Sequence, residues 1–219
     1  MVQKGNVQYM KEQDALMLFD CGAIQFGQFR LKLHETNPEA PLSPIYINLS
    51  VLRSDIDALF MACGMYSDML AEAYPGRQPD YLADIPTAAT YFVVPLCLEI
   101  RIPIITPKVD KKTHGVADAI EGKFIAGREV ALFDDVVTQG QTTIEAANIL
   151  KNAGLIVKNI FVLVDREQGG RKELATAGYK LWSYIKISEL FQILLKNNKI
   201  TKVQYDEVGQ YLGLAISKS

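Results

Sequence analysis

Two adjacent carboxylates, Asp134 and Asp135, stand in the stretch REVALFDDVVTQGQTT that runs from Arg128 to Thr143. Before them lies the apolar run Val130-Ala131-Leu132-Phe133, which fits a buried strand. After them come Val136 and Val137, then Thr138-Gln139-Gly140-Gln141-Thr142-Thr143, and a helical pattern that starts at Ile144. The acidic pair repels phosphate. It can accept hydrogen bonds from sugar hydroxyls, or help hold a Mg²⁺ ion that bridges to phosphate. The turn and the helix start offer backbone N–H groups to an anion, and the helix dipole favours negative charge there by ~0.3–1 kcal/mol. Strand, acid pair, hydroxyl-glycine turn and helix, in that order, read as a phosphate-and-sugar site. The same order also suits a plain strand end with an N-capped helix behind it.

Three other groups could join such a site. Residues 107–118, PKVDKKTHGVAD, carry Lys108, Lys111 and Lys112 beside His114, with Gly115 as a hinge. In a near-neutral chain this makes an anion clamp, although Lys-Lys runs are also common on solvated surfaces. Arg166 follows Asp165 in DREQGG. An arginine grips planar carboxylates with a bidentate fork; the alternative is an ion pair with Asp165 or Glu167. Lys32 alternates with apolar residues on a short strand pattern, where a solvated face is the plain reading.

The elements that must position these groups follow from periodicity. Residues 11–27 carry apolar residues at helical spacing and stop at Gly27; Phe29 to Leu33 reads as a strand and His34 to Ser43 as a loop. Ile45 to Leu49 is a second strand, and Ser54 to Tyr74 a helix with Ser54 as N-cap. From Tyr81 onward strands and helices alternate. Strands are expected at 81–85, 102–106, 129–133, 157–164 and 180–185. Helices are expected at 89–100, 144–153, 171–177, 188–197 and 201–212. This order argues for a mostly parallel sheet covered by helices on both faces, an α/β fold. Ligands of such sheets sit at the carboxyl ends of the strands. Thr87, Lys108, Asp134 and Arg166 all fall just past expected strand ends.

Composition narrows the class. The 219 residues are 49% hydrophobic with a net charge of -2, enough chain for one sizeable α/β core and no basic excess for nucleic acid. Cys21, Cys63 and Cys97 are odd in number and lack metal-ligand spacing, which favours a reducing, cytoplasmic compartment. The start, MVQKGNVQYMKEQ, has no signal-peptide pattern. The longest apolar segment, Phe92 to Leu98, is too short to span a membrane.

The chain resembles orotate phosphoribosyltransferases of the type I phosphoribosyltransferase class, and most of all the transferase half of uridylate synthase. The resemblance runs through LFDCGAIQFGQFRL (18–31), SPIYINL (43–49), residues 102–122, the 130–143 stretch, VLVDREQGG (162–170) and the helical tail. SPIYINL and DREQGG carry the distinction within the class. The resemblance implies a type I phosphoribosyltransferase core, residues 51–186, with a small N-terminal α+β hood at 10–50 and a helical tail at 187–219, in a single domain spanning 1–219. It implies transfer of phosphoribosyl from phosphoribosyl pyrophosphate (PRPP) to orotate, yielding orotidine 5′-phosphate and pyrophosphate in pyrimidine biosynthesis. Mg²⁺ would be carried mainly by PRPP, with no direct protein ligand. Lys112, His114, Asp134 and Asp135 would be catalytic. PRPP would meet Lys32, Lys108, Lys112, His114 and the whole run Asp134, Asp135, Val136, Val137, Thr138, Gln139, Gly140, Gln141, Thr142 and Thr143. Orotate would meet Lys32, Tyr46, Ile47, Thr138 and Arg166. A homodimer with loop 108–118 acting across its interface is implied, and no nucleic acid or membrane partner.

Several positions depart from the family pattern. Arg-Lys-Glu in the loop becomes Lys108-Val109-Asp110, which removes one basic pyrophosphate contact. An acid before the loop histidine becomes Thr113, Lys-Ser-Gly after the hood strand becomes Lys32-Leu33-His34, and an arginine becomes Ser50. TAATY at 87–91 lacks Tyr-Lys-Gly, and Gln139 and Gln141 are bulkier than the usual residues of the phosphate turn. Three readings follow: an orotate phosphoribosyltransferase, which retained Arg166 favours; a PRPP-dependent transferase for another base; or a non-catalytic PRPP-binding relative, which the thinned loop would suit. No fused orotidylate decarboxylase barrel is expected in a chain of this length.

Overall fold

The structure is a computed structural model that describes residues 4–31, 37–109 and 119–213, with side chains from Met10 onward. The chain divides into two compact units, 1–58 joined by 187–219, and 59–186.

The first unit is built on α1 (Lys4–Asp20) and a hairpin of β1 (Ile24–Phe29) and β2 (Ser43–Ile47). The two strands pair antiparallel, with Ile24 opposite Ile47 and Phe26 opposite Ile45. Leu49–Ser54 forms a 3₁₀ turn, capped by Asn48, whose side chain accepts from the Ser50 N–H. Helices α6 (Ile187–Lys196) and α7 (Lys202–Leu212) return to this unit. Leu190, Phe191 and Leu194 are buried on α6, and the Phe26 and Phe191 rings meet edge to face at 5.8 Å. Glu12 accepts from Lys196 and Asn197, and Asp20 from Lys199, which tie α1 to the tail. Thr201 and Gln204 close a capping box at the start of α7, so two orphan N–H groups are satisfied.

Here the periodicity misleads. The helix expected over 11–27 ends at Asp20, and Ile24–Phe29 is a strand. Ile24 and Phe26 fit either spacing; pairing with Ile45 and Ile47 decides. The strand expected at Phe29 to Leu33 is thereby displaced toward the N-terminus. The cap of the next helix, α2 (Ile56–Ala73), is Asp55 rather than Ser54, because Asp55 Oδ1 accepts the N–H groups of Asp57 and Ala58.

The second unit holds a six-stranded sheet in the order β5-β4-β3-β6-β7-β8. Its strands are β3 (Tyr81–Asp84), β4 (Ile104–Pro107), β5 (Ile120–Glu121), β6 (Glu129–Val137), β7 (Ile156–Asp165) and β8 (Lys180–Lys186). All neighbours are parallel except β4 and β5. Helices α3 (Thr90–Ile100), α4 (Gln141–Asn152) and α5 (Gly170–Thr176) connect them. Side chains alternate across the sheet as strand geometry requires. Val130, Leu132, Ile160 and Val162 join Ala146, Ala147, Leu150 and Leu174 in an aliphatic core. In the other phase, Phe133 stacks on Phe161 at 4.9 Å, Tyr66 meets Phe133 edge-on at 5.2 Å, and Trp182 extends the stack. Each fully buried Leu or Phe stabilises by about 1.5–3 kcal/mol.

The alternating α/β reading holds in this unit: the sheet is mixed but mostly parallel, with helices packed against it. Its edges shift. The strand expected at 129–133 runs on to Val137, so the acidic pair lies within β6 and not past its end. The helix expected from Ile144 begins at Gln141. The short antiparallel β5 had no sequence expectation; two residues carry too little pattern. Phe92 to Leu98 lies in α3, and among the described residues no helix is long and apolar enough to cross a membrane.

Candidate active site

Within the 59–186 unit the carboxyl ends of β3, β4, β6 and β7 are brought side by side by register. Asp84 lies opposite Phe133, Asp134 opposite Val162, and Val137 opposite Asp165. Asp134 is 7% exposed. Its Oδ2 accepts from Thr143 Oγ1 at 2.9 Å, its Oδ1 from the Asp135 N–H at 3.0 Å, and its backbone carbonyl from Tyr66 Oη at 2.7 Å. Asp135 is half-buried, and its Oδ1 accepts from the Val136 N–H at 2.7 Å. Burial raises the carboxyl of Asp134, and the charge of Asp135 raises it further, to about 7, against the lowering effect of Thr143. Burial also raises Asp135. The Tyr66 hydroxyl, pushed far up by burial, keeps its proton and donates it.

The turn that follows is shaped by two glycines. Gly140 has φ 81° and stands at the start of α4, a left-handed conformation that glycine adopts without strain. Thr138, Gln139, Gln141 and Thr142 are exposed on this turn, while Thr143 turns inward to Asp134. Gly140 supplies no side-chain cap to the first N–H groups of α4, and uncapped helix starts of this kind suit an anion. Gly170 holds the turn from behind. Its N–H donates to the Thr138 carbonyl at 2.8 Å, and a Cβ there would stand 2.5 Å from that oxygen and 2.7 Å from Val137 Cγ2.

Arg166 is buried at 5% exposure directly after β7, and its N–H donates to the Val137 carbonyl. Asp165, one of the two alternative ion-pair partners that the sequence offers Arg166, is engaged by Arg171. Asp165 Oδ2 accepts from Arg171 Nε at 3.0 Å, and Oδ1 from the Glu167 N–H. Arg171 also donates to the Leu181 carbonyl and to Ser183 Oγ on β8.

At the end of β4, Lys108 pairs with Glu121 at 3.6 Å, and its N–H donates to the Ala119 carbonyl. Val109 packs against the aliphatic core. The departure from a basic residue there therefore exchanges a charge for apolar packing. Lys112 and His114, and also Lys32, lie outside the described residues. In the other unit, Tyr46 is exposed on β2 and tilts against Phe29, with Ile47 half-buried beside it. Ser50 is engaged with Asn48 through both its N–H and its hydroxyl.

The sequence reading missed three groups. Tyr66 left no local signal, being 68 residues from its partner. Gly170 was visible as a paired glycine in DREQGG. Asp84, fully buried at the end of β3, was visible as a lone acid closing an apolar strand.

Comparison with known proteins decides the family. The chain is 34% identical over 183 residues to an orotate phosphoribosyltransferase of Pyrococcus abyssi, covering 84% of this chain and 96% of that protein. This chain belongs to the orotate phosphoribosyltransferase family. Uridine 5′-monophosphate synthase of Bos taurus is 30% identical over 211 residues, which is 93% of this chain and 42% of that protein. Among solved structures, Leishmania donovani UMP synthase superposes with a TM-score of 0.80 at 32% identity, across 93% of this chain and 42% of the other. The orotate phosphoribosyltransferase of Aeropyrum pernix shares the fold with a TM-score of 0.69 at 24% identity, across 84% and 99%. No protein-family model matches the chain. The type I phosphoribosyltransferase fold expected from the sequence is thus shown.

Proposed function

We propose that this orotate phosphoribosyltransferase family member transfers phosphoribosyl from PRPP to orotate in pyrimidine biosynthesis. The observation that carries the mechanism is the pairing, at neighbouring strand ends, of the Asp134–Asp135 pair and the Gly140 turn with buried Arg166. The turn at 138–143 holds the 5′-phosphate through backbone N–H groups, a cradle indifferent to the bulk of Gln139 and Gln141. Asp134 and Asp135 accept from the ribose hydroxyls. Arg166 binds the orotate carboxylate with its fork. A base without a carboxylate would leave that guanidinium the wrong partner, which favours orotate over another base.

Catalysis then rests on positioning and charge. The bond from the ribose carbon to pyrophosphate loosens, the carbon gains oxocarbenium character, and the orotate ring nitrogen adds to it. Lys108, Lys112 and His114 stabilise the leaving pyrophosphate, and Lys32, Tyr46 and Ile47 keep the roles the resemblance implies. The hard carboxylate oxygens of Asp134 and Asp135 suit Mg²⁺, although PRPP itself would be its main carrier. Carried mainly by PRPP, Mg²⁺ would supply neutralising charge to the pyrophosphate. The working unit in this proposal is a cytoplasmic homodimer, with residues 108–118 acting across its interface.

The test is loss of orotate absorbance on addition of PRPP and Mg²⁺. Wild type should consume orotate, and Asp135→Asn should lower kcat/KM by roughly 10²–10³-fold without lowering the melting temperature. PRPP binding without orotate consumption would overturn the activity; unchanged turnover in the variant would remove Asp135 from the site. A monomer mass by light scattering would overturn the dimer.

A further inference from the structure

Asp84 is the last residue of β3, fully buried, and one position before Asp134 in the parallel register. Its two oxygens are tied to different elements. Oδ2 accepts from Thr90 Oγ1 in the first turn of α3, and Oδ1 accepts from Thr106 Oγ1 on β4. A carboxylate withdrawn from water is strongly disfavoured unless such donors meet it.

The position of these ties matters. The β3–β4 ladder pairs Leu82 with Ile104 and Ala83 with Ile105. Asp84 and Thr106 are the next residues on each strand, so the carboxylate–hydroxyl bond joins the strands beyond that ladder. Past Asp84 the chain makes the Ile85–Ala89 turn, where the Pro86–Thr87 peptide is cis, and Thr90 opens α3. Past Thr106 it reaches Lys108. One buried side chain therefore fastens the turn after β3 to the strand end that carries Lys108.

We propose that Asp84 is a positioning residue for the diphosphate end of PRPP. Through Thr106 it fixes the end of β4, so that Lys108 meets the pyrophosphate from a preformed position. The proposal rests on the PRPP reading above. It assigns Asp84 no contact with substrate and no proton transfer. Its effect falls on PRPP and spares orotate, which is bound by Arg166 at the far strand end.

Thr106→Val and Thr90→Val remove one hydroxyl each while keeping side-chain volume. Asp84→Asn keeps partners for both hydroxyls, since an amide accepts with its oxygen and donates with its nitrogen. PRPP affinity, measured by calorimetry with Mg²⁺, and KM for each substrate are compared across these variants and wild type, with melting temperature as the check on folding. Thr106→Val should weaken PRPP binding and raise its KM roughly 10-fold, the scale of a modest misplacement at a reacting site. KM for orotate should stay within about 2-fold, and Asp84→Asn should stay close to wild type for both substrates. Unchanged PRPP affinity in folded Thr106→Val and Thr90→Val, or equal changes in both KM values, would overturn the positioning role. Wild type that binds PRPP but leaves orotate untouched would overturn the proposed activity alone, because the PRPP affinities still decide Asp84. Wild type that binds no PRPP would overturn both.

Discussion

The turn after β6 and the turn after β7 are built from the same parts and put to different uses. Each strand delivers a buried acid near its carboxyl end, Asp134 and Asp165. Each turn enters its helix through a left-handed glycine, Gly140 at φ 81° and Gly169 at φ 99°, without a side-chain cap. Asp165 then meets a cation: Arg171 clasps it and reaches across to Leu181 and Ser183 on β8. Asp134 meets another carboxylate, with a hydroxyl and an N–H for company. The first arrangement is balanced and closed, and fixes the loop that carries Arg166. The second crowds two acids into a buried place with no cation among their partners in the described residues, an arrangement that suits hydroxyl donors arriving with a substrate. What separates structure from chemistry here is the partner of the acid, since the backbone device is shared.

The largest break in this comparison is Gly170→Ala. The added Cβ collides with the Thr138 carbonyl and with Val137, where the two turns touch. Overpacking of this kind costs roughly 1–3 kcal/mol of stability. Displacing the 138–143 turn, the proposed phosphate site, should lower kcat/KM by roughly 10²-fold. Denaturant unfolding and steady-state kinetics read the two effects; a variant with wild-type turnover would show that the turns are not locked together. Next comes Asp165→Asn, which strikes the balanced acid. Its guanidinium partner is 46% exposed, so after discounting for solvent the loss should be about 1–2 kcal/mol of stability. Urea unfolding measures it, and a variant as stable as wild type would contradict the clasp.

A third test sharpens the contrast through pH. Asp134 rises from its ordinary value of 3.8 to about 7 in the fold. The folded chain thus holds a proton that the unfolded chain releases between these values. The stability tied to that proton is fully present below about pH 4 and is lost as pH rises through about 7. Asp134→Asn has no such proton. Wild type should therefore lose on the order of 1–3 kcal/mol relative to Asp134→Asn between pH 4 and 7. Parallel stability curves for the two proteins would show that Asp134 is ionised throughout.

Much of the site was legible in the residues themselves. The order apolar run, acid pair, glycine turn and helix located Asp134 to Thr143 on adjoining elements, because strand and helix periods are local properties of a chain. DREQGG placed Arg166 at a second strand end for the same reason. Locality also explains the errors. Ile24 and Phe26 fit helix and strand spacing alike, and pairing with β2 selected the strand. The end of β6 was set four residues short, at Phe133 instead of Val137, because carboxylates look like a strand's end until neighbouring β7 pairs alongside them.

The sequence by itself determined the class of the fold, the family, and the residue types at the strand ends. The tertiary structure alone decided who meets whom. Tyr66 reaches Asp134 across 68 positions, Thr106 reaches Asp84 across 22, and the Gly170 N–H finds the Thr138 carbonyl. It also decided that Val109 packs into the core and that Asp165 belongs to Arg171. Periodicity reports the environment of a residue, buried or exposed, within one element. A hydrogen bond between elements depends on strand order and register, which only the packed sheet supplies.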